Sequence, residues 1–204
     1  MKPVPLLLLA ALAAAQVPHQ HHPPSATEWA KVLEDPSRDA WQKPDQVVAA
    51  LDLKPTETVA DLGAGTGYFS RRFAPHVAKV FAVDIDQKLL DIIGKNAPAN
   101  VTTILAAPDD PRLPANSVDI IFICDVLHHI ENRAAYYPKL IQALKPGGRI
   151  VDIDFHKREM PLGPPLAMKL SRAQVTSELA AVGFTLAQHH DFLPYQYFLV
   201  FTKR

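Results

Sequence analysis

One cysteine, Cys124, stands among 204 residues, so no disulfide can close within the chain. It lies in an apolar run, where a thiol is expected to be buried and inert. An excess of charge is missing too: 21 Lys and Arg stand against 21 Asp and Glu. That withholds the basic surplus expected of a nucleic-acid binder. Past the first fifteen residues, no apolar run approaches the roughly 20 residues needed to cross a bilayer. Glycine is sparse, eight in all, yet three stand at Gly63, Gly65 and Gly67. What is present, 48% hydrophobic and 21% charged residues, is ordinary globular composition at about one-domain length.

The first fifteen residues read as an export signal. Lys2 supplies the charged region, Val4 to Leu12 the apolar one, and Ala13 with Ala15 an A-x-A pair that places cleavage before Gln16. The expected location is therefore exported, periplasmic or secreted, with a cytoplasmic protein as the alternative if the signal is unused. Residues 16–26, rich in proline and histidine, read as a linker. His19, His21 and His22 lack a rigid scaffold, so no metal site is expected. A single domain is expected over 27–204, its core starting near residue 44.

From Glu57 onward strands and helices alternate. Thr58–Leu62, Lys79–Val83, Val101–Leu105, Val118–Ile123 and Arg149–Asp154 read as strands, and Pro146-Gly147-Gly148 as the turn entering the last of them. Tyr68–Ala74, Gln87–Ile93 and Asn132–Leu144 read as the helices between. Such alternation implies parallel strands joined by right-handed crossovers, a doubly wound α/β domain. Ser171 caps a further helix through about Val182. Phe184–His190 and Gln196–Thr202 then read as two strands whose short connection requires antiparallel pairing. Upstream, Glu28–Leu53 holds helical segments punctuated by Pro36 and Pro44. Trp29 and Trp41 in this region are expected to anchor packing, with a lid as the other reading.

The centre of the chain is Val59–Ser70, VADLGAGTGYFS. A strand that stops at alternating glycines leaves a tight turn against which a ligand can lie closely. A dinucleotide turn wants G-x-G-x-x-G, and its third glycine position is Tyr68 here. G-x-G-x-G preceded by Asp61 instead resembles the first motif of class I S-adenosylmethionine-dependent methyltransferases, and Leu144-Lys145-Pro146-Gly147-Gly148 resembles that family's turn before the fifth strand. The resemblance implies a Rossmann-like, mostly parallel seven-stranded sheet with an antiparallel C-terminal strand. It also implies S-adenosyl-L-methionine as cofactor, and methyl transfer by in-line displacement to an unidentified small-molecule acceptor.

On that resemblance, Asp61, Gly63, Ala64, Gly65, Thr66 and Gly67 hold the amino-acid end of the donor. Asp84, ending the second strand, accepts from the ribose hydroxyls, with Ile85 beside it. Asp109 or Asp110, before Leu113-Pro114, meets the adenine, although Asp-Pro pairs also favour turns regardless of ligand. Asp125, His128 and His129 follow the fourth strand, whose carboxyl end is where open α/β sheets bind ligands. They are candidates for a base or acceptor-orienting group. The residues leave open which histidine faces the site, the oligomeric state and the acceptor atom. Alternatives are a non-catalytic donor-binding protein and, less favoured, a dinucleotide-dependent oxidoreductase.

Overall fold

A computed structural model describes residues 25–204. The signal-like segment and most of the proline–histidine stretch lie outside the described residues. Three short helices, α1 (Ala26–Leu33), α2 (Arg38–Gln42) and α3 (Pro44–Ala50), precede the sheet. Ser25 caps α1, its hydroxyl accepting from Glu28 N while Glu28 reaches back to Ser25 N. Pro44 opens α3, where a missing amide costs nothing.

Seven strands follow: β1 (Thr58–Leu62), β2 (Lys79–Asp84), β3 (Val101–Leu105), β4 (Val118–Cys124), β5 (Leu144–Phe155), β6 (Phe184–His190) and β7 (Gln196–Lys203). They form one sheet in the order β3-β2-β1-β4-β5-β7-β6. The first five strands pair in parallel, and β7 inserts antiparallel between β5 and β6. β1 and β4 are nearly continuous apolar runs because both of their faces are covered. On one face Ala60, Ile121, Ile150 and Leu199 pack with Tyr137 and Leu140 of α6 (Arg133–Ala143) and Leu179 of α7 (Arg172–Ala181). On the other, Val59, Phe122 and Val151 pack with Val47 of α3 and with Phe69 and Phe73 around α4 (Ser70–Phe73), while Leu90 and Ile93 of α5 (Gln87–Asn96) pack with Ala82 and Ala64.

Two expectations need correction. The fifth strand begins at Leu144, not Arg149: Leu144 already pairs with Val118, and the ladder resumes at Ile120 with Arg149. Lys145 to Gly148 therefore bulge out within the strand, with Gly147 at φ 79°. The helix after the glycine turn begins at Ser70, not Tyr68, because the turn itself runs through Phe69, with Gly67 at φ 85° and its amide bonded to Ala64 O.

The parallel topology brings the ends of β1, β2, β4 and β5 to one edge of the sheet. In an open α/β sheet this is where a ligand binds, at the switch point between β1 and β4. Among the described residues no helix is long and apolar enough to cross a membrane.

Candidate active site

The glycine turn leaves β1 and folds back on β2. Gly63 N and Ala64 N both donate to Val83 O, at 2.7 and 2.9 Å. Gly63 sits at φ 74°, and a Cβ there would lie 2.1 Å from Val126 Cγ2. Only glycine fits. Gly65 N donates to Asp84 Oδ2 at 2.8 Å, and Asp86 N to Asp84 Oδ1 at 2.9 Å. Asp84 is thus locked across the turn, with lone pairs on both oxygens left for further donors. Beside it Ile85 is 63% exposed, an apolar side chain left for a flat ligand surface. Asp61 is buried and takes the Ser70 hydroxyl at 2.5 Å. Burial lifts its carboxyl to about 6, against the pull of that hydrogen bond.

The N-terminal helices close over this turn, a role the sequence reading gave only to the tryptophans. Glu34, following α1, accepts from Thr66 Oγ1 at 2.5 Å and from Arg71 Nη2 at 2.8 Å. Although partial burial works against it, those bonds hold the Glu34 carboxyl below its usual range. Leu33 comes so near Gly65 that a Cβ there would meet it at 2.8 Å. The Tyr68 ring lies between two guanidinium groups, Arg38 and Arg72, each 4.0 Å from its centroid. Its hydroxyl bonds Asp39. Tyr68, out of place in a dinucleotide turn, is therefore the docking post of α2. Trp41 packs against Phe155 and Tyr195 at the carboxyl edge, while Trp29 remains partly exposed.

Asp109 and Asp110 stand apart from these groups. Asp110 Oδ1 accepts from Arg112 N and its backbone pairs with Ala107, closing a turn. Asp109 is exposed, with Lys139 Nζ at 3.8 Å as its charge partner. No hydrogen bond ties either carboxylate to the glycine turn or to Asp84 among the described residues.

On the other side of the turn, β4 empties into Asp125, held at φ 60°, an uncommon conformation for a residue with a side chain. Gln196 Nε2 of β7 donates to its Oδ1 at 2.6 Å. Burial pushes the Asp125 carboxyl up to about 7, helped by the like charge of Asp154 and opposed by Arg38, Gln196 and His128. The structure also separates the two histidines. His128 is buried and its Nδ1 contacts both oxygens of Asp154 at 2.8 and 2.9 Å. Asp154 is fully buried at the end of β5 and also accepts from Phe155 N. A carboxylate behind Nδ1 holds the N–H there and leaves Nε2 with the free lone pair. His129 is exposed, its ring 4.2 Å from that of His128, and burial of its inner face lowers its pKa. Asp154, Gln42 and Gln196 were missed by the sequence reading. Asp154 was legible as an acidic residue ending a buried strand; the glutamines carried no local signal. Among the described residues no group of three His, Cys, Asp or Glu is placed to hold a metal ion.

This sheet order, glycine turn and strand-end carboxylate define a class I methyltransferase fold. Residues 60–152 match the family model of a methyltransferase domain. The chain is similar to a ubiquinone/menaquinone biosynthesis C-methyltransferase of Ectopseudomonas mendocina, 28% identical over 118 residues, covering 54% of this chain and 46% of that protein. An uncharacterized methyltransferase of Mycobacterium tuberculosis is 35% identical over 92 residues, 45% of this chain and 37% of its own. The chain thus spans about half or less of the curated relatives it matches. A solved structure of a SAM-dependent methyltransferase from Aquifex aeolicus superposes with a TM-score of 0.81 at 25% identity, covering 88% of this chain and 98% of that one.

Proposed function

We propose that this protein is an S-adenosylmethionine-dependent methyltransferase acting on a small-molecule acceptor. The observation that carries the reading is the Gly65–Asp84 bond, which fixes a strand-end carboxylate across a cradle of three left-handed glycines. The residues fit the donor: Asp84 for the ribose, Ile85 for the flat base, the turn and Asp61 for the amino-acid end. S-adenosylmethionine bound there supplies a methyl group already activated on a sulfonium. The protein's part is then alignment and charge placement. His128, its Nδ1 held by Asp154, takes the acceptor's proton at Nε2, and Asp125 orients the acceptor. Similarity to quinone-biosynthesis C-methyltransferases makes carbon acceptors the first to screen.

Calorimetry with S-adenosylhomocysteine tests the donor site, and tight binding of NAD without it would sink the proposal. Turnover of a screened acceptor with labelled donor then separates an enzyme from a donor-binding protein. We also propose export through residues 1–15. Mass spectrometry of the mature terminus checks this, and an uncut Ala15–Gln16 bond speaks against it.

A further inference from the structure

Asp125 is reached by a chain of side chains that begins at the N-terminal helices. Arg38 Nε and Nη2 donate to Gln42 Oε1 at 3.4 and 3.3 Å. Gln42 Nε2 donates to Gln196 Oε1 at 2.7 Å, and Gln196 Nε2 donates to Asp125 Oδ1 at 2.6 Å. Both glutamines are buried, at 0% and 1% exposure, so water cannot substitute for their partners. The direction of the chain follows from chemistry. A guanidinium only donates, so Gln42 must offer Arg38 its oxygen and turn its amide nitrogen to Gln196. Gln196 must in turn present its oxygen to Gln42 and its nitrogen to Asp125. A cation at one end delivers an N–H to a carboxylate at the other through two aligned amides.

We propose that Arg38, Gln42 and Gln196 form a relay of fixed polarity that favours the carboxylate form of Asp125 over the neutral acid and leaves its second oxygen for a proton-bearing or cationic group of the acceptor. Among the described residues that Oδ2 is met only by the weak Cys124 thiol, 3.7 Å away. The relay is needed because the surroundings otherwise favour a neutral acid. Asp154 and Asp152 from β5 bring like charge, and the Tyr197 phenol of β7 and the Cys124 thiol bring none. Against them, among the described residues, stand Arg38 and, when protonated, His128. Gln42 and Gln196 are positioning residues, acting through Asp125. That the group met at Oδ2 belongs to a methyl acceptor rests on the proposed methyltransferase function; the relay does not.

The test is a carbon-13 titration of the aspartate carboxyls in the whole protein, with the Asp125 signal assigned by its loss in Asp125→Asn. Gln42→Glu offers Gln196 an acceptor, turns its amide over and points Oε1 at Asp125. The Asp125 midpoint should then rise by about one unit or more. Gln42→Met, which breaks the chain without reversing it, should raise it less. Arg38→Met, at a partly exposed position, should move it in the same direction and serves if a buried substitution fails to fold. Midpoints unchanged in the variants that fold would overturn the relay. S-adenosylhomocysteine calorimetry on the native protein is run beside it. Absence of binding there counts against the methyltransferase reading, while the titration alone decides the relay.

Discussion

Individual side chains decide the chemistry, and two of them make separable predictions. Asp84→Ala removes a charged acceptor that Gly65 N and Asp86 N hold in place. Hydrogen bonds to charged groups contribute about 1.5–3 kcal/mol each, so S-adenosylhomocysteine affinity in calorimetry should drop on the order of 10- to 100-fold. His128→Ala should lower kcat on a working acceptor by about 10²- to 10⁴-fold, the usual range for a general base. Donor affinity should stay near native. His129→Ala, at an exposed ring without a carboxylate partner, should cost far less, and equal losses would reverse the assignment. Much of this was legible: Asp84 and the glycine spacing are local patterns with a mechanical reason. The choice between adjacent histidines was not, since it depends on Asp154, which lies 26 positions away in sequence and one strand over. Gln42 and Gln196 were less legible still, because a glutamine becomes informative only when its partner, 154 positions distant, is known.

At the scale of elements, the glycine turn and the helices that cover it behave as one assembly. Gly63→Ala places a methyl group against Val126 at a positive φ, and overpacking of this kind costs about 1–3 kcal/mol. A lowered denaturation midpoint and lost donor binding together are the expected result. The strands were readable because β1 and β4 are nearly continuous apolar runs and β7 is preceded by turn residues. The start of β5 was misread for a physical reason. Proline and two glycines signal a turn locally, yet Leu144 ahead of them already finds a ladder partner in Val118. Tertiary pairing outvoted local propensity. The roles of α1 and α2 were hidden because their polar residues, Glu34, Arg38 and Asp39, look like any solvated helix face until the turn they clamp is in place.

The molecule as a whole responds to ligand and to pH. If the donor site binds as proposed, S-adenosylhomocysteine at 100 times its Kd stabilises the fold by about 2.7 kcal/mol. For a chain of this length that corresponds to a midpoint rise of roughly 5–11 °C in a thermal melt. The pH response has a definite sign. Asp125 titrates near 7 in the fold and near 3.9 unfolded, so the folded state binds the extra proton between those values. The resulting stability is complete below about pH 4 and lost as pH rises through 7. Asp61 and Asp152, also raised by burial, act in the same sense, while His129 and His156, both lowered, oppose them near neutrality. The melting-temperature difference between the native protein and Asp125→Asn isolates the one group; it should shift in favour of the variant from pH 5 to pH 8. The bond between Gln42 and Gln196 has one more consequence, in the order of assembly. A chain emerging amino end first exposes α2 long before β7 exists, so its buried glutamine waits for almost the whole domain to be synthesised. The first helices can dock early on Tyr68 and Arg71, but the hydrogen-bond chain to Asp125 is not completed until the final strand has been delivered.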